Sequence, residues 1–151
     1  MWVTNLRCEY VSNPLGIDTL SPRFSWELHH DERAQQQTAY QMLVASTSDI
    51  LNSDQGDVWD SGKVDSDQST NIVFTGTALT SGAAYAWKVR VWDKNGVVSA
   101  YSAAATFEMG LLQPADWQGA WISWEGETMP LLRKTFTLTQ PVAKARLYIC
   151  G

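Results

Sequence analysis

Between Ala84 and Asp93 the chain reads Ala-Tyr-Ala-Trp-Lys-Val-Arg-Val-Trp-Asp. Tyr85, Trp87, Val89 and Val91 fall on one parity, and Ala86, Lys88, Arg90 and Trp92 on the other. A period of two marks a strand with one face in a core. The other face, carrying two cations and a Trp, is expected to meet water or a layer of stacked side chains rather than a second sheet. Ahead of this strand stand Leu79, the turn Thr80-Ser81-Gly82 and then Tyr85. That order fits the tyrosine corner of β-sandwiches, the alternative being an ordinary strand tyrosine.

The remaining patterns are shorter. Val3, Leu6, Cys8 and Tyr10 mark a first strand over 3–10, closed by Asn13-Pro14-Leu15-Gly16. Phe24, Trp26 and Leu28 alternate with Arg23, Ser25 and Glu27 in a second, with Trp26 central and buried. Residues 29–37 are polar and aperiodic and read as a solvated loop. A third strand covers 39–45, with Tyr40, Met42 and Val44 facing one way and Leu43 contributing less to the other face. Thr47 or Ser48 then caps a single helical turn. Residues 58–64 and 72–75 read as short strands, the former an edge. Asp93-Lys94-Asn95-Gly96 is a hairpin turn of the type-I-plus-Gly kind, and 104–109 is the last strand, with Ala105, Phe107 and Met109 inward. Helical periodicity is nearly absent, so the fold class is all-β. About seven strands within roughly 100 residues is the size of an immunoglobulin-like or fibronectin type III sandwich.

After Gly110 the pattern changes. Residues 111–124 form a Trp-rich connector, with Trp117, Trp121 and Trp124 crowded around Gly119. Strand-like runs follow at 132–138 and 143–150, separated by Thr139-Gln140-Pro141. Two strands cannot close a core, so 125–151 reads as the start of a second, truncated β domain. The division expected is 1–110, 111–124 and 125–151.

Composition narrows the function classes. The 151 residues carry a formal net charge of −5 with no basic patch, which argues against nucleic acid, whose affinity rests on Lys and Arg. No run reaches transmembrane length and the N-terminus lacks a charged region followed by an apolar one, so the expectation is no membrane and a cytoplasmic location. Cys8 and Cys150 are read as separate buried thiols, and with the neighbours His29 and His30 they match no zinc spacing. Asp54, Asp57, Asp60, Asp65 and Asp67 are dense enough to suggest calcium. Counted from Asp65, however, the calcium-loop pattern puts Thr70 at its Gly position and Gly76 at its Glu position, so turn formation is the alternative reading. Glu125 and Glu127 have no scaffold that would separate their pKa values and read as loop acids. There is no phosphate loop, no nucleophile with a histidine partner and no cofactor motif. No catalytic, cofactor or metal residue is therefore assigned. Ser99-Ala100-Tyr101-Ser102 resembles half of the W-S-x-W-S element of receptor-type fibronectin domains, which would let Tyr101 stack on Lys88 and Arg90. A plain surface turn is the alternative.

Several runs together resemble the N-terminal region of bacterial alpha-L-rhamnosidases: 6–10 (Leu-Arg-Cys-Glu-Tyr), 13–18 (Asn-Pro-Leu-Gly-Ile-Asp), 22–26 (Pro-Arg-Phe-Ser-Trp), 39–41 (Ala-Tyr-Gln), 59–64 (Trp-Asp-Ser-Gly-Lys-Val), 87–93 (Trp-Lys-Val-Arg-Val-Trp-Asp) and 145–151 (Ala-Arg-Leu-Tyr-Ile-Cys-Gly). The resemblance implies a fibronectin-like domain followed by the opening strands of a jelly roll. The family's inverting hydrolysis of terminal rhamnosides uses two carboxyls on a helical barrel far downstream, so none of its catalytic residues can be placed here. Three roles are open to such a chain. The first is an inactive accessory region whose partner is the parent's catalytic domain, with 125–151 able to self-associate through uncovered strands. The second is a carbohydrate-binding module stacking sugar on Trp117, Trp121 or Trp124. The third is a receptor-like protein-binding domain.

Overall fold

A computed structural model of the chain describes residues 1–120, 122 and 131–149. Among these are eight strands: β1 (Trp2–Cys8), β2 (Arg23–His29), β3 (Gln37–Ala45), β4 (Trp59–Asp60), β5 (Val64–Asp65), β6 (Ile72–Val73), β7 (Ala84–Asp93) and β8 (Ala105–Glu108). They pair antiparallel in two sheets, one ordered β1-β2-β6 and the other β4-β3-β7-β8, with β5 also on β3. The longest ladder joins β3 to β7 and sets Tyr40 opposite Val91, Met42 opposite Val89 and Val44 opposite Trp87. A one-residue slip would send every one of these side chains to the far face, so the apolar alternation fixes the register. They meet Phe24, Trp26 and Ile72 of the first sheet in one core. Phe24 lies 4.7 Å from Trp87 and 5.5 Å from Phe107, ring centre to ring centre.

The second face of β3 and β7 is covered too. Thr47 caps the short helix α1 (Ser48–Asn52), its hydroxyl accepting from the Ile50 amide. Leu51 of this helix packs on Leu43, Ala45 and Ala86, all buried. Leu43, expected to contribute little to its face, is instead fully buried, because a helical turn covers the outer face of the sheet at this point.

Several local expectations change. Tyr10 is not on the first strand: Glu9 and Tyr10 both have positive φ, the strand ends at Cys8, and Tyr10 is exposed and donates to Asn71 Oδ1. A bulge between Thr4 and Arg7, with Asn5 at φ 50°, shifts the register inside β1. His29 ends β2, stacked on Trp2. Gln37, read as part of a solvated loop, is buried: its Oε1 accepts from Trp26 Nε1 at 3.0 Å and its Nε2 donates to the carbonyls of Ser66 and Gln68. Residues 58–64 are not one strand, since Ser61 and Gly62, the latter at φ 60°, break the run between β4 and β5.

The chain divides into two units, Met1–Gln118 and Gly119–Gly151. In the second, residues 131–149 carry no strand and are exposed, Phe136, Leu147 and Ile149 among them. The strand expected at 132–138 and the described part, 143–149, of the one expected at 143–150 are not formed, because a lone pair of short strands buries too little to offset its ordering. Cys150 lies outside the described residues, whereas Cys8 is a buried free thiol, its pKa pushed up to about 12 by burial and the neighbouring Glu9. In hydrogen exchange the amides of β3 and β7 are expected to be slowest and those of 131–149 to approach intrinsic rates. Slow exchange across 131–149 in a verified monomer would show that this segment is stable by itself.

Candidate functional site

The acids carry most of the candidate chemistry. Asp57 accepts from the backbone amide and hydroxyl of Ser46. Asp60 accepts from Gln41 and from the Gly62 amide. Asp54 pairs with Lys88, and Asp65 with Lys63. Glu9 holds Arg23 through two side-chain bonds and also takes the Arg23 amide. Among the described residues the carboxyls whose titration is displaced all move downward: Glu9 under the Arg23 guanidinium, Asp57 under the Ser46 hydroxyl, Asp93 under the Val97 and Asn95 amides, and Asp116 under the Ser81 hydroxyl. A glycosidase general acid needs the opposite displacement. These groups brace turns and strand ends. Glu125 and Glu127 lie outside the described residues.

The outer face of β7 carries a ladder of cations and rings. Lys88 Nζ and the Arg90 guanidinium lie 4.7 Å and 4.8 Å from the Tyr101 ring centre, and Arg90 and Lys63 lie 5.4 Å and 5.3 Å from that of Trp92. Tyr101 thus stacks as the Ser-Ala-Tyr-Ser run suggests. Each serine makes two bonds with β7. The Ser99 and Ser102 amides donate to the Val91 and Val89 carbonyls, and their hydroxyls accept from the Val91 and Val89 amides.

The turn before β7 is a tyrosine corner, with the Thr80 amide donating to Tyr85 Oη at 2.9 Å. It also anchors the segment leaving β8. Gly82 N donates to the Gly110 carbonyl, the Leu112 amide to Ser81 Oγ and the Gln113 amide to Asp116, while Ser81 Oγ donates to Asp116. A carboxyl whose folded pKa is depressed contributes fully above its unfolded value and loses that contribution as pH falls through the folded one. The Leu112 and Gln113 amide resonances are therefore expected to titrate with an inflection below the ordinary aspartate value, and in Asp116→Asn not at all. An inflection at or above the ordinary value would contradict the latch.

A groove of about 470 Å³ opens at the side of the sandwich, between β6 of one sheet and β4 and β5 of the other. Tyr40 and Ile72, both buried, form its floor, and Trp59, Gln68, Asn71 and Thr75 line its walls. None of its described lining residues is charged. Tyr40 is set from behind, where Trp26 meets its ring edge-on at 5.3 Å and is itself held by Gln37. Trp59 is packed edge-on against Phe74 at 5.3 Å. Sequence reading did not single out this groove, because its residues come from three separated stretches, at 40, 59–64 and 68–75, and share no local pattern. Of the three connector tryptophans, Trp117 is exposed, at 46%, whereas Trp121 and Trp124 lie outside the described residues.

Two antiparallel sheets, a tyrosine corner and a core closed across both define an immunoglobulin-like sandwich module. The family model described as "Rha78A-like, N-terminal immunoglobulin domain" matches residues 3–113, and the chain belongs to that family. It is 43% identical over 121 residues to an alpha-L-rhamnosidase of Streptomyces avermitilis, covering 80% of this chain and 12% of the relative. An alpha-L-rhamnosidase of Formosa agariphila is 40% identical over 154 residues, covering 93% and 16%. The solved alpha-L-rhamnosidase of Dictyoglumus thermophilum superposes with a TM-score of 0.79 at 42% identity, over 82% of this chain and 14% of that one. The chain thus spans less than a fifth of the length of these relatives.

Proposed function

We propose that the chain is the N-terminal accessory module of an alpha-L-rhamnosidase, without chemistry of its own, whose partner is the catalytic part of the same parent protein. The observation that carries this is the family match over residues 3–113. The downward-shifted carboxyls of the first unit support it, each bound to a turn or a cation. In the same reading 125–151, with strand-like runs at 132–138 and 143–150, opens the next β domain of the parent, a jelly roll.

Purified 1–151 is expected not to turn over a nitrophenyl rhamnoside. Deleting the module from the parent is expected to lower its thermal midpoint more than its intrinsic chemistry. Turnover by 1–151 that disappears when one of its own acids is mutated would overturn the reading.

A further inference from the structure

We propose that the groove between β6 and β4–β5 is a binding site for a neutral saccharide. Tyr40 forms part of the floor of the groove, and its phenol oxygen takes no hydrogen bond from the described residues. The buried unpartnered side-chain atoms among the described residues are Gln35 Oε1 and Trp87 Nε1, not the Tyr40 hydroxyl, which is therefore open to a ligand in the groove that Tyr40 lines. The same holds at the walls. Trp59 Nε1, Asn71 Nδ2 and Thr75 Oγ1 make no protein hydrogen bond among the described residues, although Asn71 Oδ1 is engaged by Tyr10. Donors and acceptors of this kind converge on one space without a formal charge among its described lining residues.

That chemistry selects against phosphate, carboxylate and cations, each of which needs a charged or metal-ligating partner. It suits a polyol, whose hydroxyls both donate and accept and whose C–H faces pack on aromatic and aliphatic surface, here Trp59 and Ile72. A volume of about 470 Å³ lies within the usual range for small-ligand sites. The site differs from the connector tryptophans: it is built on strands, and its floor is held by the Gln37–Trp26–Tyr40 chain of contacts. A site on strands with a packed supporting layer keeps its geometry without a ligand.

The test is a titration of the whole 1–151 chain, isotope-labelled, with L-rhamnose, D-glucose and D-galactose in turn. L-rhamnose rests on the family reading, whereas the uncharged groove suits any of the three sugars. Binding of another of these sugars without rhamnose would support the site and weaken only the link to rhamnosides. Expected are saturable shifts of the Trp59 indole N–H and of the backbone amides of residues 71–75, with the Trp117 indole unmoved. Tyr40→Phe keeps the ring and removes one hydrogen bond, and should weaken binding about tenfold. Asn71→Asp preserves the acceptor for Tyr10 and the left-handed backbone while deleting the donor, and should weaken it similarly; it sits on the rim and serves as the second variant if Tyr40→Phe is poorly folded. Saturation at Trp117 alone, no saturable shift with any of the three sugars, or unchanged affinity in both folded variants would overturn the proposal. So would protection of the Trp59 indole N–H in the sugar-free parent protein, which would mean that polypeptide fills the groove.

Discussion

Trp26→Ala is expected to destabilise the sandwich by about 3–5 kcal/mol, the usual cost of truncating a buried aromatic, a large part of the margin of a domain this size. Trp26 is 3% exposed, and its loss opens a cavity against Tyr40. It also orphans Gln37 Oε1, which accepts from Trp26 Nε1 at 3.0 Å in the core. Trp26→Phe separates the two effects: it refills most of the space but leaves the amide oxygen unpaired, at about 1–3 kcal/mol. Urea unfolding of both variants measures the difference. A Trp26→Ala midpoint matching the parent's would contradict the packing described.

The second large effect is expected at Gly76. A Cβ there would lie 2.5 Å from the Val58 carbonyl oxygen, 2.6 Å from Trp59 Cβ and 2.7 Å from Phe74 Cζ. The first of these is main chain and cannot rotate away, so Gly76→Ala forces a backbone shift of the kind that costs about 1–3 kcal/mol. Because Trp59 sits beside it, the near-ultraviolet circular dichroism should change along with the unfolding midpoint. Gly96→Ala, at φ 78° with nothing within 4 Å, should lower the midpoint while leaving that aromatic signal intact. If Gly76→Ala moves neither signal, the close approach of the Gly76 main chain to β4 is wrong.

Much of this architecture is legible in the residues, for a definable reason. Strands β2, β3 and β7 alternate cleanly because one of their faces meets a single shared core, and Leu79, the turn and Tyr85 announce a corner whose bond is local. What the residues conceal is whatever depends on a distant partner. Gln37 looks like a loop residue until Trp26 Nε1 is seen beside it. Leu43 looks marginal until α1 covers it. Tyr10 keeps the parity of the first strand, but the positive φ of Glu9 takes it off the strand. Residues 132–138 show the opposite case, alternation without a ladder, since periodicity states what a segment would bury and not whether anything is there to cover it. The groove was hidden most completely: Tyr40, Trp59, Asn71 and Thr75 are unremarkable in their own segments and acquire meaning only where the edges of the two sheets come together.

The doubled bonds of Ser99 and Ser102 with β7 have a consequence for how the molecule behaves in a crowd. A row of unpaired main-chain groups is a template on which another chain can lay down a strand, and from there aggregates grow. β8 pairs with the first half of β7, from Ala84 to Trp87. Over the second half the amides of Val89 and Val91 are taken by serine hydroxyls, and their carbonyls by the serine amides. The templating groups are thereby consumed by a segment too irregular to be copied, and the sheet terminates there. Ser99→Ala with Ser102→Ala would return two donors to that margin, and an incoming chain could take them.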